Sequence, residues 1–162
     1  ANLHDFHAFT PTVANIRPTS RGEISISSSD TKVNPKIKMN YLSTDEDRKV
    51  ASDGIKLIRK IVMETNEFKK YEPEEFRPGS HLNDKEEIVK ACSHYAQTIF
   101  HPVGTCKMGN DDSAVVSDKL KVHGINKLRV IDASIMPNIT SGNTNAPTIM
   151  IAEKGADMIL NP

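Results

Sequence analysis

The residues best suited to chemistry lie in the last third of the chain. The run from His101 to Gly109 reads His-Pro-Val-Gly-Thr-Cys-Lys-Met-Gly, and Pro102 favours an extended backbone at the histidine. An imidazole can act as a general base in such a segment, because its unperturbed pKa lies near neutrality. A structural histidine would also fit this pattern, so the residue type alone leaves both interpretations open.

Two asparagines precede the last apolar run. Asn143 and Asn145 lie where a helix starting near Ala146 or Pro147 would begin, and asparagine is a common N-cap residue. The same position can bind a ligand, because the first amides of a helix lack intrahelical partners and carry a partial positive charge. Such a helix start suits a group that gains negative charge, such as a reduced flavin. Capping and ligand binding are compatible here.

An acidic residue ends a short apolar run just upstream of these asparagines. Residues 128–131 are Leu-Arg-Val-Ile, and Asp132 follows them directly. This pattern predicts a buried strand that delivers an acid to its carboxyl end. With the final helix, which should run to about Leu160, the strand predicts a detached βα unit at the C-terminus.

The upstream residues must form the scaffold for this region. Alternating apolar residues predict strands over 22–28 and 36–41, with one face of the first strand buried. Apolar residues at helical spacing predict helices over about 45–64 and 84–97. Ser43 with Glu46, and Asn83 with Glu86, have the spacing that caps such helices. The expected fold class is α+β, with an antiparallel or mixed sheet backed by helices, plus the C-terminal βα unit.

Composition excludes several classes of protein. The 162 residues carry 21 basic and 21 acidic side chains, so they show no basic footprint for nucleic acid. We expect no membrane span, because no apolar run approaches about 20 residues. Cys92 and Cys106 lack a metal or redox spacing, no histidine pair has metalloprotease spacing, and we expect no metal site. The chain begins with alanine and has no leader-like segment, which predicts a fragment or a processed product.

Several motifs together resemble the glucose–methanol–choline (GMC) family of FAD-dependent oxidoreductases. Residues 101–109, the segment Leu-Arg-Val-Ile-Asp-Ala-Ser-Ile-Met-Pro at 128–137, and Ser-Gly-Asn-Thr-Asn-Ala-Pro-Thr at 141–148 follow the family's order and spacing. Pro-Thr-Ser-Arg-Gly at 18–22 and the run at 35–42 resemble two further family elements. The resemblance covers essentially the whole chain as the family's C-terminal portion. It is most similar to the insect glucose dehydrogenase-like members.

The resemblance implies roles for individual residues. His101 would take the proton of a substrate hydroxyl while hydride passes from carbon to the flavin. Asn143 matches a second active-site position, where an asparagine would hydrogen-bond the alcohol oxygen. These two are the expected catalytic residues. The residues expected to bind FAD are Asp132, Ala133, Thr144, Asn145 and Thr148.

The family's dinucleotide fingerprint, G-x-G-x-x-G after a strand, is absent from these residues. Residues 1–120 are therefore expected to form part of the substrate-binding domain. Residues 121–162 would give the last strand and helix of the FAD-binding domain, whose N-terminal Rossmann part is missing. We expect the isolated chain to be inactive, because it lacks the site for the pyrophosphate of FAD.

The expected function is oxidation of a CH–OH group in an alcohol or a sugar. One alternative is a hydroxynitrile lyase-like member, which keeps FAD and the histidine but performs acid–base chemistry. Another is a truncated, catalytically silent binding module. The implied partners are a small alcohol or sugar substrate and an electron acceptor, either oxygen or a quinone-type compound. Family resemblance suggests a secreted protein, although the sequence itself leaves the localisation open.

Overall fold

The computed structural model describes residues 4–161 and contains four α-helices, one 3-10 turn and two strands. Numbered in chain order, they are β1 (Glu23–Ser25), β2 (Lys36–Lys38), α1 (Asp45–Glu64), α2 (Asn66–Lys69), α3 (Lys85–Tyr95), the 3-10 turn (Ala133–Ile135) and α4 (Asn145–Leu160). These elements form two compact units. We call residues 4–15 with 42–97 the helical unit, and residues 16–41 with 98–161 the loop unit.

The helical unit is built on packing between α1 and α3. Ile88 and Val89 of α3 are the buried apolar residues of this helix. The two helices occupy the ranges that apolar spacing predicts, but both predicted caps are wrong by one residue. The hydroxyl of Thr44 accepts a hydrogen bond from the backbone amide of Asp47. The carboxylate of Asp84 accepts hydrogen bonds from the backbone amides of Glu86 and Glu87. These side chains satisfy amides that the helix itself leaves unpaired.

An ion pair fastens the irregular segment between α2 and α3 to α1. Arg59 binds Glu75 through two nitrogens, each 2.9 Å from a carboxylate oxygen. The same guanidinium donates to the carbonyls of Leu82 and Gly79, at 2.7 and 3.0 Å. Both charged side chains are less than one-fifth exposed. Arg59 therefore holds three residues of this segment, Glu75, Gly79 and Leu82, against α1.

The sheet is smaller than the sequence predicts. Strands β1 and β2 pair antiparallel over three residues each, with Ile24 opposite Ile37. Every residue of both strands is exposed, including those two isoleucines, at 47% and 65%. The prediction that one face is buried is therefore wrong within the described residues. An alternating pattern buries a face only where a second layer covers it, and α4 of the same unit does not contact the hairpin.

The core of the loop unit forms with little regular structure. Its buried residues are Val116, Leu120, Ile135, Met136 and Ile151. The predicted strand at residues 128–131 is not formed: Arg129 makes one isolated bridge to Lys121, and Leu128 is 46% exposed. A strand needs a neighbour along its length, but here the Leu128 carbonyl accepts from the Val122 amide and the Val130 amide donates to the Leu120 carbonyl, which makes one isolated bridge.

Helix α4 closes the loop unit on one side. At Gly155 it approaches Ile131 so closely that a Cβ atom would lie 2.4 Å from a methyl carbon of that residue. Ile149 and Met150 are more than half exposed on the same helix. Among the described residues, no helix is long and apolar enough to cross a membrane. Nor do residues 4–161 bring together three side chains that could hold a metal ion.

Candidate active site

His101 is held between two consecutive residues at the start of α4. Its Nδ1 lies 3.0 Å from the hydroxyl of Thr144, and its Nε2 lies 2.9 Å from Nδ2, the side-chain nitrogen of Asn143. The imidazole is half-buried, Thr144 is buried at 8% exposure, and Asn143 is exposed. The structure therefore brings together the two residues that the sequence proposes as catalytic.

The side-chain nitrogen of Asn143 constrains which nitrogen of the ring carries the hydrogen. An amide nitrogen can only donate, so Nε2 of His101 must accept the hydrogen bond from Asn143. In a neutral imidazole the other nitrogen then carries the hydrogen, and Nδ1–H donates to the hydroxyl of Thr144. The lone pair on Nε2 points toward the more exposed partner. A ring nitrogen that accepts a hydrogen bond has its lone pair available to a hydroxyl bound at the same place.

The loop that carries His101 is fastened by backbone hydrogen bonds rather than by regular structure. The amides of Cys106 and Met108 donate to the carbonyls of Ser134 and Ile135, at 3.0 and 2.8 Å. Gly104 has φ +90°, a conformation that favours glycine, and a Cβ there would lie 3.3 Å from the carbonyl oxygen of Met136. A residue with a side chain would be strained at this position.

The segment before α4 is held by two arginines from the Pro-Thr-Ser-Arg-Gly region. Arg17 donates to the hydroxyl of Ser141 at 2.9 Å, and Arg21 donates to the side chain of Asn138 at 2.6 Å. Arg21 also donates to the carbonyls of Pro18 and Ser20 within its own loop. These contacts set the path of the chain that leads into Asn143. The sequence alone does not indicate which residues these two arginines contact.

The residues proposed to bind FAD lie at two places in the loop unit. Asp132 accepts the amide of Ser134 at 2.7 Å and so caps the 3-10 turn, which begins at Ala133. Asn145 is the exposed first residue of α4, while the Thr148 hydroxyl donates to the Thr144 carbonyl at 2.7 Å. Whether these residues contact the cofactor stays a prediction.

The start of α4 fits an anionic part of a cofactor. The first turn contains no acidic residue, and the Thr144 side chain makes no capping hydrogen bond to the helix. Asn145 and Ala146 are exposed residues of the first turn, where a helix carries the positive end of its dipole and amides without intrahelical partners. This combination would disfavour a cation and suits the pyrimidine ring of a flavin, which becomes anionic on reduction.

Sequence reasoning missed two features next to His101. The first is the bond from its Nδ1 to Thr144, which adds a contact beyond the proposed role of Thr144 at the cofactor. The second is Phe100, which has φ +62° although it is a bulky residue. Its amide donates to the Thr98 hydroxyl at 3.1 Å. Neither feature has a periodic signal, because each depends on local backbone geometry.

Comparison with known proteins identifies the family. The family model described as "GMC oxidoreductase" matches residues 18–152, which is most of the chain and includes His101, Asn143 and the residues proposed to bind FAD. The chain belongs to the GMC oxidoreductase family. This confirms the resemblance at the level of the family.

Relatives of known name agree with this assignment. The chain is 46% identical over 159 residues to an oxygen-dependent choline dehydrogenase of Proteus mirabilis, covering 98% of this chain and 28% of the relative. It is 44% identical over 153 residues to the enzyme of that name from Pseudomonas fluorescens, covering 94% and 27%. These relatives are bacterial choline dehydrogenases, so the narrower resemblance to insect glucose dehydrogenases is not supported by them.

Solved structures show the same fold. Pyridoxine 4-oxidase from Mesorbium loti superposes with a TM-score of 0.83 at 34% identity, covering 91% of this chain and 28% of that one. Formate oxidase from Aspergillus oryzae, in a study of FAD modification, gives 0.81 at 33%, covering 94% and 28%. FAD is therefore the cofactor supported for this family member. The chain spans about 28% of the length of these relatives.

Proposed function

We propose that this chain supplies the C-terminal part of an FAD-dependent enzyme that oxidises the CH–OH group of an alcohol. The observation that carries the proposal is His101 with an accepting Nε2, flanked by Asn143 and Thr144 at the start of α4. The match to GMC oxidoreductases over residues 18–152 supports the same chemistry.

The proposed roles of the side chains follow from this geometry. A substrate hydroxyl would replace the amide of Asn143 at Nε2 of His101 and would give its proton to that nitrogen. The amide of Asn143 would then donate to the alcohol oxygen and stabilise the charge that develops there. When bound, FAD supplies the acceptor for the hydride that leaves the carbon. The ring keeps its Nδ1–H on Thr144 throughout.

The proposal also assigns two ranges of the chain to two domains of the enzyme. Residues 1–120 would contribute to the substrate-binding domain, and residues 121–162 to the FAD-binding domain. Asp132, Ala133, Thr144, Asn145 and Thr148 would line the cofactor. Because residues 1–162 contain no G-x-G-x-x-G, we expect them not to retain FAD on their own. Gel filtration of this chain with added FAD, followed by the flavin absorbance of the protein peak, measures this directly.

A primary alcohol is the proposed substrate, and choline is the first compound to test. The support is the 46% identity to an oxygen-dependent choline dehydrogenase. Glucose is the second compound, because the motif texture resembles glucose dehydrogenases as well. Oxygen and a quinone are the candidate acceptors to compare in the reoxidation step.

Anaerobic mixing of the FAD-loaded enzyme that carries this chain with each alcohol tests the proposed function. Loss of the oxidised flavin absorbance with choline or glucose is the expected result. Ethyltrimethylammonium, which is choline without its hydroxyl, is the matched control and should leave the flavin oxidised. A flavin that stays oxidised with every alcohol, while the enzyme cleaves a cyanohydrin, would overturn the proposal in favour of a lyase.

A further inference from the structure

We infer that Arg21 and Arg17 are positioning residues that hold Asn143 at the catalytic histidine. The inference rests on the proposed function, since it concerns the placement of a residue that acts there. Arg21 donates a hydrogen bond to the side-chain oxygen of Asn138 at 2.6 Å, and Arg17 donates to the hydroxyl of Ser141 at 2.9 Å. A guanidinium has donors only, so the direction of both bonds is settled by the arginines.

The segment that carries Asn143 has few other attachments. Residues 137–143 connect the 3-10 turn to α4, and within residues 4–161 none of their backbone groups hydrogen-bonds to another backbone group. Over the same described residues, this segment makes three side-chain hydrogen bonds: one to each arginine, and one from Asn143 to His101. A Cβ atom at Gly142 would meet no atom within 4 Å, so close packing does not fix the position next to Asn143.

The backbone of Ser141 gives a reason why the segment needs to be held. Ser141 has φ +57°, a left-handed conformation that is uncommon for a residue other than glycine. Such a conformation persists where surrounding contacts maintain it, and Arg17 supplies a contact to this side chain. A return of Ser141 to negative φ would redirect the chain only two residues before Asn143.

Arg21 is itself held in place by the loop and the hairpin around it. Its guanidinium donates to two carbonyls of its own loop, at 2.8 and 3.0 Å, and its carbonyl accepts from the side-chain nitrogen of Asn40 at 2.9 Å. A Cβ atom at Gly22 would lie 2.2 Å from the carbonyl oxygen of Lys38, so the chain passes tightly against β2. Because Arg21 is exposed, water competes for its donors, and this fixed position favours the contact with Asn138.

Replacing Arg21 with alanine releases Asn138 and should displace Asn143. In the proposed function, Asn143 donates to the alcohol oxygen as charge develops there, and removing such a donor outright costs about 10²- to 10³-fold in rate. A displaced donor loses part of that effect, so we expect the limiting rate of flavin reduction to fall about 5- to 30-fold. The dependence of the rate on alcohol concentration should change less. Arg17→Ala should act in the same direction.

Two substitutions of Asn138 test the same bond from its other end. Asn138→Asp keeps an oxygen that accepts from Arg21 and should keep most of the parent rate, whereas Asn138→Ala should slow reduction as Arg21→Ala does. Arg129→Ala is the matched control, because Arg129 also fastens the loop unit but donates to the carbonyls of Lys119 and Met158, outside residues 137–143. It should lower stability and leave the rate of reduction unchanged.

The experiment measures anaerobic flavin reduction by these variants of the FAD-loaded enzyme, each with and without Asn143→Ala. If Arg21 acts through Asn143, Arg21→Ala should change the rate by no more than about 2-fold in the Asn143→Ala enzyme, because the group that it positions is gone. A crystal structure of FAD-loaded Arg21→Ala supplies a readout that needs no turnover. We expect the side-chain nitrogen of Asn143 to leave hydrogen-bond distance of Nε2 of His101, which is 2.9 Å in the parent chain.

Three outcomes would overturn the inference. The first is a parent rate of reduction in Arg21→Ala, or in Asn138→Ala where Arg21→Ala does not fold. The second is an equal loss of rate with and without Asn143, or a loss of bound FAD, because the arginine would then act on another group. The third is an unmoved Asn143 in the structure of the variant. The proposed function fails by a different result, which is a parent enzyme whose flavin no alcohol reduces.

Discussion

The helical unit and the loop unit are stabilised by different kinds of contact. In the helical unit, α1 and α3 bury Ile88 and Val89, and the Arg59–Glu75 pair fastens the loop between the helices. In the loop unit, only one long helix is present among residues 16–41 and 98–161. Backbone hydrogen bonds between distant segments hold the rest, such as Met108 to Ile135.

All the proposed site residues fall in the loop unit. A regular helix presents side chains at fixed angular steps, so a single helix does not place hydrogen-bond partners on both nitrogens of one of its own imidazole rings. The segments that end at His101 and Asn143 can meet because neither is part of a strand or the middle of a helix. Binding and catalytic residues commonly lie on loops that a rigid framework positions. Substitutions in the helical unit should therefore lower stability without changing the rate of flavin reduction, whereas removal of His101 from the loop unit should lower that rate.

The largest effect on stability is expected from Arg59→Ala in the helical unit. It leaves Glu75 and two carbonyls without their charged partner, and breaking a mostly buried pair costs about 3 kcal/mol. Chemical denaturation measures this loss, and Lys49→Ala, which removes an exposed ion pair with Asp53, should cost much less because solvent screens the pair. The rate of flavin reduction well below the melting temperature should be unchanged. A reduction rate that falls with Arg59→Ala would contradict the separation of the two units.

A smaller loss is expected from Gly155→Ala in the loop unit. The new methyl would meet Ile131, and overpacking costs about 2 kcal/mol, offset by up to about 1 kcal/mol of helix propensity. A net loss of about 1–2 kcal/mol should appear in denaturant unfolding. Gly142→Ala, which meets no atom within 4 Å, is the matched control.

A second substitution tells whether contact with Ile131 is the cause. Ile131→Ala makes room for the methyl, so the double variant should lose less than the sum of the two single losses. Simple additivity would mean that α4 does not depend on this close approach.

The smallest expected effect concerns the turn after the His101 motif. The Ser113 hydroxyl, the Lys107 ammonium and the Ser113 amide together hold the pKa of Asp111 well below its usual range. A lowered pKa in the folded state gives stability that is complete above the unfolded pKa, about 3.9, and is lost as the pH falls through the folded value.

Asp111→Asn should therefore lower the melting temperature at neutral pH and lose that effect in acid. Thermal unfolding of the parent and the variant between pH 7 and pH 2 measures the difference, with the exposed neighbour in Asp112→Asn as the control for charge. A difference that grows on acidification would show that Asp111 is not stabilised as an anion.

How far the sequence predicts the structure differs between the units. The spacing of apolar residues predicts α1 and α3, because helix packing leaves a periodic trace. It fails for residues 128–131, where an apolar run suggests a strand but supplies no information on a neighbour to pair with. It also fails for the hairpin of β1 and β2, whose alternation does not correspond to a buried face in these residues.

For the candidate site, the motifs indicate which residues to consider but not which hydrogen bonds they form. Motif order indicated His101 and Asn143, and the structure places them 2.9 Å apart. The acceptor on the far side of the ring was not foreseen, since Thr144 read as a cap or a cofactor contact. A hydroxyl can accept from many donors, and only the path of the backbone between His101 and Thr144 shows which one it receives.

The most direct test is the rate of anaerobic flavin reduction in His101→Ala, compared with the rate in His94→Ala. The alcohol used is one that reduces the flavin of the parent enzyme. His94 is an exposed histidine on α3 of the helical unit, so the two variants remove the same side chain from the two units. If His101 is the base, its removal should slow reduction by about 10²- to 10⁴-fold, while His94→Ala keeps the parent rate. Near-parent reduction by His101→Ala with its FAD retained would contradict the central claim.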